Sequence, residues 1–191
     1  TGSDRIIVTS IVETGDNGFC HAGVAIGTEG VVLRQPQLHA CGRHPWASVL
    51  GDDVATLDLD WGRFALITGG DTIYPEAFRL ATLLDVEVVA APTAVLEVWE
   101  NEFGLAERAA ENRMTVVAGS RATKGGVGMV AAPDKDFTLW TEWSRPFNGD
   151  INHPNVTLAN AAPGFTTALV DPSTAGNRTV TLKTDVVASR P

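Results

Sequence analysis

Only two cysteines and one tyrosine occur among 191 residues, and the 14 basic residues are outnumbered by 23 acidic ones. Two cysteines cannot frame a disulfide-stapled scaffold, so a reducing cytoplasm is the expected setting. The net charge of −9 removes the basic face that a phosphate backbone requires, which argues against nucleic acid as a partner. The acidity reads as a solvated surface. No apolar run approaches the ~20 residues that cross a bilayer, so no membrane partner is expected. The opening Thr1-Gly2-Ser3-Asp4-Arg5 has neither the basic nor the apolar region of a signal peptide. There is no internal repeat and no low-complexity segment. What is there, 44% hydrophobic and 19% charged, suits one globular domain spanning residues 1–191.

The chain is organised around residues 66–79, Leu-Ile-Thr-Gly-Gly-Asp-Thr-Ile-Tyr-Pro-Glu-Ala-Phe-Arg. Phe64 to Ile67 is a short apolar run that fits a strand covered on both faces. Gly69-Gly70 lets the backbone bend sharply. Pro75 suits a first helical turn, with Glu76 near its positive end. The loop that leaves the carboxyl end of such a strand is where α/β proteins place their chemistry. An elbow there usually displays a nucleophile, and this one carries none at its apex.

Before this stretch the pattern is β. Arg5–Glu13 predicts a strand. Phe19–Ile26 and Val31–Gln35 predict a hairpin closed by Gly27-Thr28-Glu29-Gly30. Arg43–Asp53 reads as a loop and Val54–Asp60 as a half-exposed strand. After it, Pro75–Leu84 and Trp99–Asn112 predict helices. Val86–Ala91, Met114–Ser120 and Val127–Ala132 predict strands. Phe137–Trp143 predicts another, Pro146–Pro163 a loop, Phe165–Pro172 a strand, and Arg178–Val187 a strand or short helix. Strands with two central helices, each leading into a buried strand, indicate a layered α/β or α+β domain.

The elbow and its sequel resemble the nitrilase, or carbon–nitrogen hydrolase, superfamily. The family's strand ending in Cys-x-Asp is followed by an apolar residue, Pro-Glu and an arginine, and here Asp71, Tyr74-Pro75-Glu76 and Arg79 correspond. In the family's order there follow Val86 to Pro92, similar to its strand ending in proline beside the pocket, and Arg108-Ala109-Ala110-Glu111-Asn112, similar to its Arg-Ala-x-Glu-Asn helix end. Gly126-Val127-Gly128-Met129-Val130 with Pro133-Asp134 resembles its Gly-x-Ser strand and turn. The His21–Gly30 hairpin and Gln37-Leu38-His39 resemble the segment bearing its Lys-x-His. The resemblance implies an α+β fold, a four-layer α-β-β-α sandwich of mixed sheets. It also implies that the N-terminal part of that fold is missing.

The departures bear on function. The family's catalytic cysteine attacks an amide or nitrile carbon, with a glutamate as general base and a lysine stabilising the intermediate. On this correspondence the cysteine position is Gly69, the lysine position is Gln37 and the Gly-x-Ser serine is Gly128. The glutamate falls in a region the chain does not contain. A catalytically inactive domain is the expectation, because triad members act as a unit. A hydrolase with displaced or partner-supplied groups is the alternative. Gly69, Gly70, Thr93 and Trp99 are the candidate binding residues, and the ligand implied is a small amide or carboxylate. The resemblance further implies pairing into a homodimer through Ala77–Leu84 and Leu105–Asn112, or assembly with a larger protein. It calls for no cofactor.

One further group of residues is open to several readings. Cys20, placed across the hairpin from Gln37, could cluster with His39 and Cys41 near the pocket mouth, with His21 and His44 close by. Zinc ligation, a relocated Cys/His nucleophile, a Cys20–Cys41 disulfide, or an apolar thiol among solvated histidines would each follow. The ligand spacing matches no strong zinc pattern, so no metal is expected. Arg79 and Arg108 are expected to pair with Asp71, Glu111 or a backbone carbonyl. Trp46 is a second candidate for the pocket lining. Trp140, Trp143 and Phe147 suggest a subunit contact or a satellite core.

Overall fold

Alternating apolar residues and two tight turns build the first sheet. The computed structural model describes residues 5–121, 126–133, 154–181 and 184–189. Strands β1 (Ile7–Gly15) and β2 (Gly18–Gly27) form an antiparallel hairpin, and Gly18 takes the positive φ of 123° that its turn requires. Strand β3 (Gly30–Pro36) returns along the other side of β2. The expected loop at 43–53 contains one short strand, β4 (Ala47–Val49), parallel to the start of β2 at Phe19 and Cys20.

The second sheet has six strands in the order β10-β9-β8-β7-β6-β5. They are β5 (Thr56–Leu59), β6 (Gly62–Leu66), β7 (Val88–Pro92), β8 (Thr115–Gly119), β9 (Met129–Ala132) and β10 (Asn155–Leu158). Its centre, β6-β7-β8, is parallel because α1 (Pro75–Leu83) and α2 (Leu105–Asn112) make the crossovers. The outer strands are antiparallel.

Parallel strands covered on both faces need apolar residues at every position, and β7 and the Phe64–Leu66 end of β6 have them. Phe64, Leu66, Val88 and Ala90 meet Ala25 and Leu33 of the small sheet. Ala65, Ile67, Val89, Ala91, Val116 and Ala118 meet Ala77, Phe78, Ala81, Leu105 and Ala109 of the helices. The described residues thus form two stacked sheets with helices over the large one, an α+β sandwich. Among them no helix covers the outer face of the small sheet, where Ile7 is 69% exposed and Val31 62%.

Several boundaries depart from the sequence reading. The helix expected from Trp99 opens with a π turn, Glu100–Gly104, before α2 begins. Asn101 holds that turn, donating to the Val127 carbonyl and accepting from its N–H. Asn155–Leu158, expected in a loop, pairs as β10 with β9. Phe165–Pro172 is not a strand: Phe165 and Leu169 are fully or almost fully exposed, and among the described residues β10 is the edge of the sheet. A 3₁₀ turn, Pro172–Gly176, follows, and Arg178–Val187 contains a small hairpin, β11 (Thr179–Thr181) with β12 (Thr184–Asp185). The expected strand Phe137–Trp143 and the aromatic group of Trp140, Trp143 and Phe147 lie outside the described residues.

Phe78 is fully buried between α1 and the large sheet. Phe78→Ala should cost about 3–5 kcal/mol of stability, read as a lowered midpoint of urea unfolding with an unchanged slope.

Candidate functional site at the Gly69 elbow

The elbow follows β6 at the carboxyl end of the sheet. Residues Gly69–Ile73 form a 3₁₀ turn that feeds α1 directly, and Gly69 has a φ of 56°. Three threonines fix this bend. Thr68 donates to the Gln35 carbonyl and accepts from the Gly23 N–H, both at 3.0 Å, which ties the elbow to the small sheet. Thr72 and Thr93 each donate to the Gly69 carbonyl at 2.9 Å.

Position 69 has no room for a side chain. A Cβ built there would lie 2.4 Å from His21 Cε1, 2.6 Å from His21 Nδ1 and 3.0 Å from Gln37 Oε1. The imidazole of His21 therefore occupies the space into which residue 69 would project. Position 70 is closed as well, since its Cβ would lie 2.5 Å from Cys41 Sγ.

Gln37 is the hub of this plug, and it is completely buried. Its Oε1 faces His21 Nδ1 at 3.1 Å, His44 Nδ1 at 3.0 Å and the Gly70 N–H at 3.4 Å. An amide oxygen can only accept, so both Nδ1 atoms carry hydrogen. Gln37 Nε2 donates to the His39 carbonyl at 2.7 Å. The two imidazole rings meet edge-on with centroids 4.3 Å apart, and Trp46 packs on both. Burial pushes the His44 pKa below its ordinary value, and neighbouring His21 and Arg43 push it the same way.

A second group secures the elbow from below. Asp71 is buried and accepts from the Leu38 N–H at 2.7 Å, and from the His39 N–H and His39 Nδ1 at 2.9 Å each. Burial pushes its carboxyl above the usual carboxylate range, and these hydrogen bonds pull it part of the way back. The His39 ring stacks on Tyr74 at 4.1 Å. Beyond it, Arg43 makes a two-pronged ion pair with buried Glu100, both contacts at 2.8 Å. Burial raises the Glu100 pKa, but Arg43 and the N–H groups of Glu97 and Leu96 outweigh it, so the net shift is downward.

The structure brings Gln37, Gly69, Gly70 and Thr93 together, and it separates other expected neighbours. His21, not Cys20, lies across from Gln37, whose N–H donates to the His21 carbonyl. Cys20 sits on the opposite face, against Glu13 and Arg34. The two thiols are free. Among the described residues no group of three or more His, Cys, Asp or Glu side chains could hold a metal. Trp99 is half-exposed with its ring against Gly104, and it shares no hydrogen bond or ring contact with the elbow. Asp71 takes backbone N–H groups and His39 rather than Arg79, while Arg108 pairs with Glu111.

No nucleophilic side chain stands at the apex, and the nearby hydroxyls are engaged as donors to backbone carbonyls. A cleft of about 510 Å³ runs alongside, between β1 and the carboxyl ends of β7 and β8, and reaches the elbow through Thr93.

This architecture is the fold of the nitrilase superfamily. The amidase from Nesterenkonia sp. AN1 superposes with a TM-score of 0.63 and 18% identity, over 92% of this chain and 67% of the amidase. A form of that amidase with acrylamide added at its active-site cysteine gives a TM-score of 0.61 and 18% identity, over 82% of this chain and 63% of the amidase. Nit3 of Saccharomyces cerevisiae, a member of branch 10 of the nitrilase superfamily, gives 0.58 and 19%, over 66% of this chain and 52% of Nit3. The chain spans just under two thirds of the length of the acrylamide-modified amidase. No family model and no curated protein matches the sequence.

Two outcomes follow. Gly69→Ala should lose about 2–4 kcal/mol, from left-handed backbone strain and from the overlap with His21. In a His21→Ala background the overlap portion should vanish, and additive losses in a double-mutant cycle by urea unfolding would contradict the packing described. Because the folded His44 pKa is depressed, the unfolded chain binds the proton more readily. Stability should therefore fall as pH drops through about 6.5, level off once folded His44 is protonated too, and lose this slope in His44→Gln.

Proposed function

We propose that this chain is a nitrilase-superfamily domain that forms no acyl-enzyme and acts by binding, assembly or regulation. The observation that carries this reading is the occupation of the side-chain space at Gly69 by His21. A covalent route needs an attacking atom there, and the remaining groups of such a site contribute little without it. Gln37, uncharged and hydrogen-bonded to two imidazoles, supports the same reading.

The ligand class proposed is a small amide or carboxylate. It is supported by the end of the cleft that Thr93, Ser120 and the cationic Arg121 line. Self-association through α1 and α2 is supported by the exposure of Leu80 and Leu84 and by a hollow of about 610 Å³ lined by Pro75, Arg79, Leu80 and Glu111. A cytoplasmic setting accords with two free thiols.

One observation favours a second reading, hydrolysis by a displaced nucleophile. The free thiol of Cys41 touches the elbow at Gly70 and accepts from the Arg43 N–H at 3.5 Å. Thiol alkylation with iodoacetamide separates the two. The expected result is no amide hydrolysis before or after treatment, and none in Gly69→Cys. Turnover of propionamide or benzamide that alkylation and Cys41→Ala each abolish, and Cys20→Ala does not, would overturn the inactive reading in favour of Cys41.

A further inference from the structure

Two imidazoles share a single acceptor in the plug. Gln37 Oε1 takes the Nδ1–H of His21 at 3.1 Å and that of His44 at 3.0 Å, while Nε2 of the same amide is committed to the His39 carbonyl. The amide cannot turn over without setting its oxygen against that carbonyl. Both rings are thus pinned as Nδ1–H tautomers, and an added proton has only Nε2 to take.

The surroundings of His44 disfavour that proton. Its ring meets His21 edge-on, with centroids 4.3 Å apart, and Trp46 packs on both. From β2 it faces His21 and from its own turn Arg43, while Glu13 and Cys20 lie on the other face of the small sheet. The carboxylates on the neighbouring elements are engaged elsewhere. Asp71 at the elbow holds His39, and Glu100 at the π turn holds Arg43 with both oxygens.

The two rings are held unequally. His21 is 7% exposed in the middle of β2, and its carbonyl takes the Gln37 N–H. His44 is half-buried in a turn, closed where its N–H donates to the Cys41 carbonyl at 2.9 Å. That turn lies on the elbow. Cys41 is 8% exposed, and its Sγ stands 2.5 Å from the Cβ that Gly70 lacks. A charge that drives the rings apart therefore moves His44 and its turn, and leaves His21 in the sheet. Arg43 stays anchored. Burial works against the charge on Glu100, but Arg43 and two N–H groups leave its pKa lowered, so the ion pair persists through the pH range of histidine.

We infer that residues 41–46 form a proton-operated latch on the elbow. A proton on His44 releases it from Gln37, the turn pivots on the Arg43–Glu100 pair, and the Cys41 thiol moves off Gly70 into solvent. Outside the plug His44 regains its ordinary affinity for protons, so acid favours the open form. The latch is made of side chains already in contact, and it works whether or not the elbow binds a ligand.

The test follows Cys41 in the full chain carrying Cys20→Ala, with 4,4′-dithiodipyridine, a reagent that attacks thiols in mild acid. Each rate is divided by that of glutathione at the same pH. The expected result is a ratio that rises about tenfold or more between about pH 7.5 and about pH 5, with unchanged far-ultraviolet circular dichroism. His44→Gln keeps an N–H for Gln37 and takes no proton in this range, so its ratio should stay flat. A flat ratio in the parent, an equal rise in His44→Gln, or a rise that accompanies loss of the dichroism would overturn the latch. Should His44→Gln fail to fold, nitrogen-15 spectra of the parent decide. The Nδ1–H signals of His21 and His44 should both be visible near neutral pH, and only that of His44 should be lost in mild acid. Persistence of the His44 signal, or joint loss of the two, would overturn the inference.

Discussion

The arrangement around the elbow depends on a missing side chain. His21 can reach into the bend and share the Gln37 oxygen with His44 only because residue 69 ends at its Cα. Any larger residue would have to displace the imidazole, break the Gln37 hub and uncouple Gly70 from it. The small sheet and the elbow are therefore interlocked by complementary shape as well as by hydrogen bonds. Backbone conformation adds to this, because a φ of 56° disfavours residues with a Cβ.

Around that plug, buried polar groups act as staples between distant parts of the chain. Asp71 collects N–H groups from the segment after β3, Thr68 bridges to Gln35 and Gly23, and Glu100 collects Arg43 together with the turn at Leu96–Glu97. A buried charge is tolerated when its lone pairs are met, and both carboxylates satisfy that condition. The apolar packing lies elsewhere, between the sheets and under the helices, so the elbow is held by polar contacts on a rigid apolar frame.

How much of this was legible in the sequence depended on the kind of signal. Thr68 to Pro75 carry local turn and helix-start signals, so the glycine bend at Gly69 and the helix after it could be read directly. The partners of Asp71 could not, because two are backbone N–H groups that every residue possesses. Placing Cys20 rather than His21 opposite Gln37 was an error of one residue, and in a strand one residue exchanges the two faces. That single step sent the cysteine to the outer face and brought the histidine to the elbow. The short strands β4 and β10 have three and four residues, too few for a period to register. The run from Phe165 has a strand-like composition, but among the described residues it pairs with no strand. The Arg43–Glu100 ion pair spans 57 positions and left no local trace.

The twin threonine contacts on the Gly69 carbonyl have a consequence for any acyl group that approaches. With its oxygen held by Thr72 and Thr93, the Gly69–Gly70 peptide plane cannot rotate, and the Gly70 N–H stays turned toward Gln37. The next N–H, on Asp71, is closed onto the Thr68 carbonyl at 3.1 Å. At these two positions an incoming carbonyl oxygen would have to compete for an amide that is already engaged. The bend is thus closed in its main chain, through the engaged Gly70 and Asp71 amides, as well as in the side-chain space at residue 69.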